Sequence, residues 1–150
     1  MDETLASLEF DWLINCAAYT AVDDCENQSG HAYLINGHAA GHVARICSAK
    51  GARMIHFSTD YVFDGTKSTA YVEGDTPNPL NVYGRSKLAG EQAIQAVGGH
   101  YTILRTSWVY GRRGKNFLNT ILRLAQEKEE LRIVADQFGA PTWSRMIAEA

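Results

Sequence analysis

Three short runs of mostly apolar residues recur along the chain: WLINCAA from Trp12 to Ala18, RMIHFS from Arg53 to Ser58 and YTILRTS from Tyr101 to Ser107. Each has the length of a strand, and none shows the strict apolar–polar alternation of a strand with one solvated face. Segments with helical periodicity separate them. Buried strands that alternate with helices are typical of a parallel sheet covered by helices. We therefore expect an α/β fold, a partial Rossmann-like parallel sheet with helices on both faces.

Helical periodicity is predicted for residues 28–50, 81–97 and 116–128. The first of these segments contains three glycines, each of which costs about 1 kcal/mol relative to alanine in a helix. They are Gly30, Gly37 and Gly41. Glycine at these positions predicts that another backbone packs closely against this helix.

The remaining segments are loops and one further strand. The polar stretch from Ser58 to Asn78, broken by glycine and proline, is predicted to be a long loop, and loops of that length are usually functional or disordered. LRIV, residues 131–134, is predicted to be a fourth short strand, and DQFGAPTW, residues 136–143, another loop. The length of 150 residues is enough for one domain, and no internal repeat appears.

Polar motifs follow several of the predicted strands. STD begins at Ser58, AAYT at Ala17 and SWVYG at Ser107, each at the end of an apolar run. In open α/β sheets the binding site lies beyond the carboxyl ends of the strands. The sequence therefore predicts one crevice lined by these three motifs.

The stretch PLNVYGRSKLAGE places Tyr83 and Lys87 four residues apart at the start of a predicted helix. Residues with this spacing lie on one helix face, so the ammonium could approach the phenol. A tyrosine has an ordinary pKa of about 10, and a nearby ammonium lowers it. The pair could then exchange a proton with a carbonyl oxygen, with the Thr59 hydroxyl bonding the same oxygen. The spacing alone is weak evidence, because a surface tyrosine and lysine on an amphipathic helix give the same pattern.

Four motifs occur in order along the chain: STDYVFDG, PLNVYGRSKLAGE, LRTSWVYG and DQFGAPT. Together they resemble the extended short-chain dehydrogenase/reductase family, from about Trp12 to Trp143. Within that family the closer resemblance is to enzymes that reduce the C4 keto group of a dTDP-activated sugar for surface polysaccharide biosynthesis. Sugar-nucleotide dehydratases of the family carry an Asp-Glu pair after the threonine, whereas this chain has Asp60 and Tyr61 there. The resemblance therefore implies reduction rather than elimination of water.

The resemblance also implies roles for individual residues. Thr59, Tyr83 and Lys87 match the catalytic residues, and Lys87 also matches the residue that bonds the nicotinamide ribose. Ala18, Tyr19 and Thr20 match the segment that lines the NADPH or NADH cofactor. Tyr83 and Lys87 also match residues that contact this cofactor. Positions that contact the sugar nucleotide, in addition to Thr59, are matched by Asp60 and Trp108. Five of these residues also have a purely structural explanation: Asp60 could cap a turn, Trp108 could belong to the core, and Ala18, Tyr19 and Thr20 could simply end a strand.

The family pattern begins with a strand and a G-x-x-G-x-x-G turn whose backbone amides hold the cofactor pyrophosphate. GHAAGH, residues 37–42, lies inside a predicted helix and cannot serve as that turn. We therefore expect residues 1–150 to be the central portion of a reductase domain that is truncated at both ends, with most of the substrate lobe absent. On this expectation the fragment itself is inactive, and the choice between NADPH and NADH cannot be read.

Composition restricts the partners. The formal net charge of −3 and the scattered basic residues argue against nucleic acid. No apolar run has the length of a membrane span, and three cysteines without a CxxC pair indicate a reduced, cytoplasmic protein. His38 and His42 share a helix face but lack a third ligand, so no metal site is expected. The expected partner is a dTDP-4-keto sugar, with a homodimer possible at full length.

Two other functions fit the same motifs. A non-catalytic regulatory subunit, such as the β subunit of methionine adenosyltransferase, has this fold and can retain a Tyr-x-x-x-Lys pair. A nucleotide-sugar epimerase, or another reductase, of the same extended family is the second alternative. Turnover of NADPH with a 4-keto sugar separates the reductase from both.

Overall fold

A computed structural model describes residues 2–150 of the chain. The chain divides into two compact units, and the boundary lies after Arg105. The α-helices are α1 Asp2–Ser7, α2 Val22–Asn27, α3 Ser29–Ala32, α4 Ala40–Lys50, α5 Val82–Val97, α6 Phe117–Glu127 and α7 Ser144–Glu149. The strands are β1 Trp12–Asn15, β2 Arg53–Thr59, β3 His100–Thr106, β4 Val109–Tyr110 and β5 Thr142–Trp143. A π-helix, Tyr33–Ala39, joins α3 to α4, and a 3₁₀ turn, Asp60–Val62, follows β2. Across these residues, every helix is too short or too polar to span a bilayer.

The main sheet has the strand order β1-β2-β3, and β1 pairs with β2 in parallel. Helices α4 and α5 pack against each other and against β2, and the hydrophobic core lies between them and includes Met54 and Ile94. Leu13 packs against this core, whereas Ile14, on the other face of β1, is 58% exposed. The predicted α/β class, with a parallel sheet and packed helices, is confirmed.

The long first helix of the sequence prediction exists, but its middle is a π-helix that the periodicity did not indicate. It ends at Gly51, which adopts a left-handed conformation with φ 66°, as a terminal glycine commonly does. Close packing explains Gly41, where a Cβ would lie only 2.7 Å from Ala93 Cβ; a Cβ at Gly37 would make an ordinary contact, 3.5 Å from Ala89 Cβ. Close packing does not explain Gly30, which has no neighbour within 4 Å, so that part of the prediction was wrong.

Two strand predictions need correction. The strand that begins at Trp12 ends at Asn15 and not at Ala18. The LRIV segment forms no strand, and its Ile133 and Val134 are 50% and 66% exposed. A strand requires a neighbouring strand for its hydrogen bonds, and an apolar run does not reveal whether one is present. The second unit instead contains a parallel β4–β5 pair, in which Val109 pairs with Thr142 and Tyr110 with Trp143.

Candidate active site

Helix α5 carries the tyrosine and the lysine, and its first turn is closely determined. Asn81 caps it by accepting a hydrogen bond from the Gly84 amide at 2.7 Å, and the Val82 amide donates to Glu26 Oε1 at 2.7 Å. Gly84 is required because a Cβ there would overlap the Tyr61 carbonyl oxygen. The helix therefore begins immediately before Tyr83 and lies directly against the end of β2.

Tyr83 lies beside the residues that follow β2. Thr59 lies close enough to lower the pKa of the Tyr83 phenol, and the rings of Tyr61 and Tyr83 meet edge to face with 5.7 Å between their centroids. Thr59 Oγ1 also donates to Asp60 Oδ1 at 3.1 Å and accepts from the Tyr61 amide at 3.2 Å. Thr59 is 4% exposed and Tyr83 9% exposed, so both side chains are largely shielded from solvent. The structure thus brings together Thr59, Asp60 and Tyr83, as the sequence suggested.

The electrostatics of Tyr83 differ from the sequence-based expectation. Burial raises the pKa of Tyr83, the negative charge of Asp60 raises it further, and the hydrogen bond with Thr59 partly opposes both. The lowering of this pKa expected from Lys87 is not found. The Lys87 ammonium instead donates to the Phe57 carbonyl oxygen at 2.5 Å and lies 3.5 Å from His56 Nε2. In this structure, Lys87 is therefore bound to β2.

Lys87 is only 2% exposed. Burial lowers its pKa to about 8, while the Glu91 carboxylate raises it. Burial, followed by the charge of Lys87, also lowers the pKa of His56 to about 4. At neutral pH the site therefore contains an ammonium next to a neutral imidazole.

The segment after β1 is held by a residue that the sequence analysis did not single out. Asn36, in the π-helix, accepts from the Tyr19 amide at 2.8 Å and donates to the Tyr19 carbonyl at 3.0 Å. Its Nδ2 also donates to Ser86 Oγ at 2.9 Å, and Ser86 immediately precedes Lys87 in α5. Tyr19 packs on the cluster that contains Tyr83. The AAYT segment therefore lies alongside the start of α5, with Ala18 and Tyr19 half-buried and Thr20 exposed.

The buried polar residues His56, Glu91 and Asn36 were all missed. Their signal in the sequence was a polar residue inside an otherwise apolar helix or strand. Such a residue is normally hydrogen-bonded when buried, but its partner cannot be read from spacing. For Glu91 that partner is Arg105, fourteen residues along the chain.

Trp108 lies in the second unit. It is the one residue other than glycine with a positive φ in the described part of the chain, at 45°, a conformation that bulky side chains rarely adopt. Its carbonyl accepts from the Thr142 amide at 3.3 Å, and a Cβ at Gly139 would lie 2.5 Å from its indole ring. Ser107 Oγ donates to the Ala140 carbonyl at 2.9 Å. Two of the recognised motifs, SWVYG and DQFGAPT, therefore pack on each other within this unit.

A parallel α/β sheet with a Tyr-x-x-x-Lys helix against the carboxyl end of a strand is the arrangement expected for the extended short-chain dehydrogenase/reductase family. The family model described as the RmlD substrate binding domain matches residues 1–150, and the chain belongs to that family.

Named relatives agree with this assignment. The chain is 53% identical to dTDP-4-dehydrorhamnose reductase of Burkholderia thailandensis, over 98% of this chain and 51% of the relative. It is 48% identical to the enzyme of the same name from Escherichia coli K12, over 98% of this chain and 49% of the relative. A crystal structure of dTDP-4-dehydrorhamnose reductase from Bacillus anthracis in complex with NADP superposes with a TM-score of 0.93 at 42% identity, covering 99% of this chain and 54% of that one. The chain thus spans about half the length of the relatives it matches.

Proposed function

We propose that the protein containing this chain reduces the C4 keto group of dTDP-4-dehydro-L-rhamnose with NADPH or NADH, giving dTDP-L-rhamnose for surface polysaccharide biosynthesis. The observation that carries the proposal is the position of Thr59 at the end of β2 beside the buried Tyr83, with Lys87 one helical turn away on α5. The relatives from B. thailandensis and E. coli, which bear the name of this activity, support it.

Thr59 and Tyr83 place two hydroxyl groups near each other. With the Thr59 O–H turned from Asp60 to the substrate, both hydroxyls would donate to one carbonyl oxygen and polarise it. The nicotinamide cofactor, when bound, supplies the hydride to the carbonyl carbon. Tyr83 then gives its phenolic proton to the oxygen. Its raised pKa keeps it protonated before the reaction, so that it is ready to act as the acid.

The chemistry of the residues fits a nicotinamide ribose. Lys87 offers a buried ammonium with three N–H donors, of which one is used by Phe57, and ribose hydroxyls are suitable acceptors. Ala18, Tyr19 and Thr20 would also line the cofactor. Asn36 occupies both backbone polar groups of Tyr19, so this segment presents a fixed surface.

Substrate contacts are assigned to Thr59, Asp60 and Trp108. Burial raises the pKa of Asp60, although its bonds with Thr59 and the backbone oppose that effect. The strained backbone of Trp108 supports a functional role, because such strain usually persists where function requires it.

The relatives' greater length supports a further part of the proposal. Residues 1–150 would form the central portion of an NAD(P)-binding reductase domain, with the pyrophosphate-binding turn and most of the substrate lobe contributed by other residues. The full-length protein would work in the cytoplasm as a homodimer.

Steady-state kinetics of the full-length protein test the function. NADPH should be consumed in proportion to added dTDP-4-dehydrorhamnose, with dTDP-L-rhamnose as the product identified by NMR. A dTDP-sugar without the keto group is the control and should give no turnover. Binding of nucleotide without any consumption would favour a regulatory subunit, and inversion of a stereocentre without net oxidation of NADPH would favour an epimerase.

A further inference from the structure

Glu91 is a buried carboxylate that the proposed reaction does not use. It is 1% exposed and lies on α5. Its Oε2 accepts from Arg105 Nη2 at 2.6 Å, and its Oε1 accepts from Arg105 Nε at 3.0 Å and from Ser58 Oγ at 2.5 Å. Two of these bonds come from the Arg105 guanidinium, so Glu91 and Arg105 form a bidentate ion pair inside the domain.

This carboxylate joins the two elements that carry the proposed site. Glu91 follows Lys87 by one helical turn and Tyr83 by two, so all three lie along one face of α5. Ser58, which donates to Glu91, immediately precedes Thr59 in β2. A displacement of Glu91 would thus be transmitted to the strand end that positions the Thr59 hydroxyl.

The same carboxylate also favours the ammonium form of Lys87. The groups that act on Lys87 are Glu91 from α5, and His56 and the Phe57 carbonyl from β2; Glu91 is itself paired with Arg105 from β3. His56 is neutral at neutral pH, because burial lowers its pKa to about 4. Burial works against the ammonium of Lys87, and the negative charge of Glu91 works in its favour.

We propose that Glu91 is a positioning residue for the reduction: it fixes the end of β2 against α5 and keeps Lys87 in its ammonium form at neutral pH. The proposal rests on the proposed function. A purely structural ion pair between Glu91 and Arg105 would also stabilise the domain, but it would not control the protonation of Lys87.

Two substitutions in the full-length protein separate charge from geometry. Glu91→Gln keeps the shape and removes the charge, so the basic limb of the kcat/KM profile should move to lower pH by about one pH unit. Glu91→Asp keeps the charge but shortens the side chain, so the limb should stay in place while kcat falls, since Ser58 and hence Thr59 lose their support. An unchanged basic limb in Glu91→Gln would overturn the proposal.

A measurement without turnover makes the test independent of the proposed reaction. The titration of Lys87 can be followed by NMR of the protein labelled with ¹³C-lysine, and its signal can be assigned with Lys87→Met. The Lys87 pKa should fall in Glu91→Gln and stay near the parent value in Glu91→Asp. If Glu91→Gln fails to fold, a fall in Glu91→Asp contradicts the proposal by itself. A protein that shows the expected titrations but reduces no 4-keto sugar would refute the proposed function and leave the control of Lys87 by Glu91 established.

Discussion

Replacement of Gly90 by alanine should destabilise the protein through the contact between α5 and the π-helix. A Cβ at Gly90 would overlap the Asn36 carbonyl oxygen and lie 3.4 Å from Ala40 Cβ. A backbone carbonyl cannot rotate away as a side chain can, so the two helices must separate. Overpacking of this kind costs about 1–3 kcal/mol. Alanine returns up to about 1 kcal/mol through its higher helix propensity. With that full return, the net loss in the free energy of unfolding should be up to about 2 kcal/mol.

Gly30→Ala is the matched control, because Gly30 is also helical but has nothing within 4 Å of an added Cβ. It should be neutral or stabilising by up to about 1 kcal/mol. Urea denaturation of the full-length variants, followed by circular dichroism, measures both values. Gly90→Ala should also weaken cofactor binding, because Asn36 holds Tyr19. A Gly90→Ala protein as stable as Gly30→Ala would refute the packing argument.

Three further predictions concern the site and the isolated chain. Lys87→Met removes an ammonium held by the Phe57 carbonyl, so cofactor affinity and kcat should fall together in the full-length protein; a loss in kcat alone, with cofactor affinity unchanged in calorimetry, would contradict the ribose assignment. Thr59→Val keeps the shape but removes the hydroxyl beside Tyr83, so kcat should fall at least about 10-fold, and a parent-like kcat would exclude Thr59 from the reaction. The 150-residue chain alone should neither bind NADPH tightly nor reduce substrate, since catalysis requires the cofactor to be held against the substrate; micromolar binding by fluorescence titration would show that the chain has its own pyrophosphate anchor.

The sequence predicted the elements whose signals are local. The strand beginning at Arg53 and the helix predicted for residues 81–97 were both recognisable, because hydrophobic periodicity depends on neighbouring residues. The π-helix was not predictable, because its distortion accompanies close packing on α5 rather than any short motif. LRIV has the composition of a strand but no strand partner, which no local pattern can show.

The candidate site shows the same division. The placement of Tyr83 and Lys87 on one face of α5 follows from their helical spacing, and the position of Thr59 follows from the end of a strand. The partners of Lys87 did not follow, because the Phe57 carbonyl and His56 reach it from another element. The expected lowering of the Tyr83 pKa failed for this reason, since it assumed that the ammonium points at the phenol and left burial out of account.

The central claim is that Tyr83 provides the proton for carbonyl reduction, and Tyr83→Phe tests it most directly. The substitution keeps the ring that packs against Tyr61 and removes only the hydroxyl beside Thr59. In the full-length protein with dTDP-4-dehydrorhamnose, kcat for NADPH consumption should fall by about 10²-fold or more, while the Kd for NADPH changes little. Turnover at the parent rate would contradict the claim.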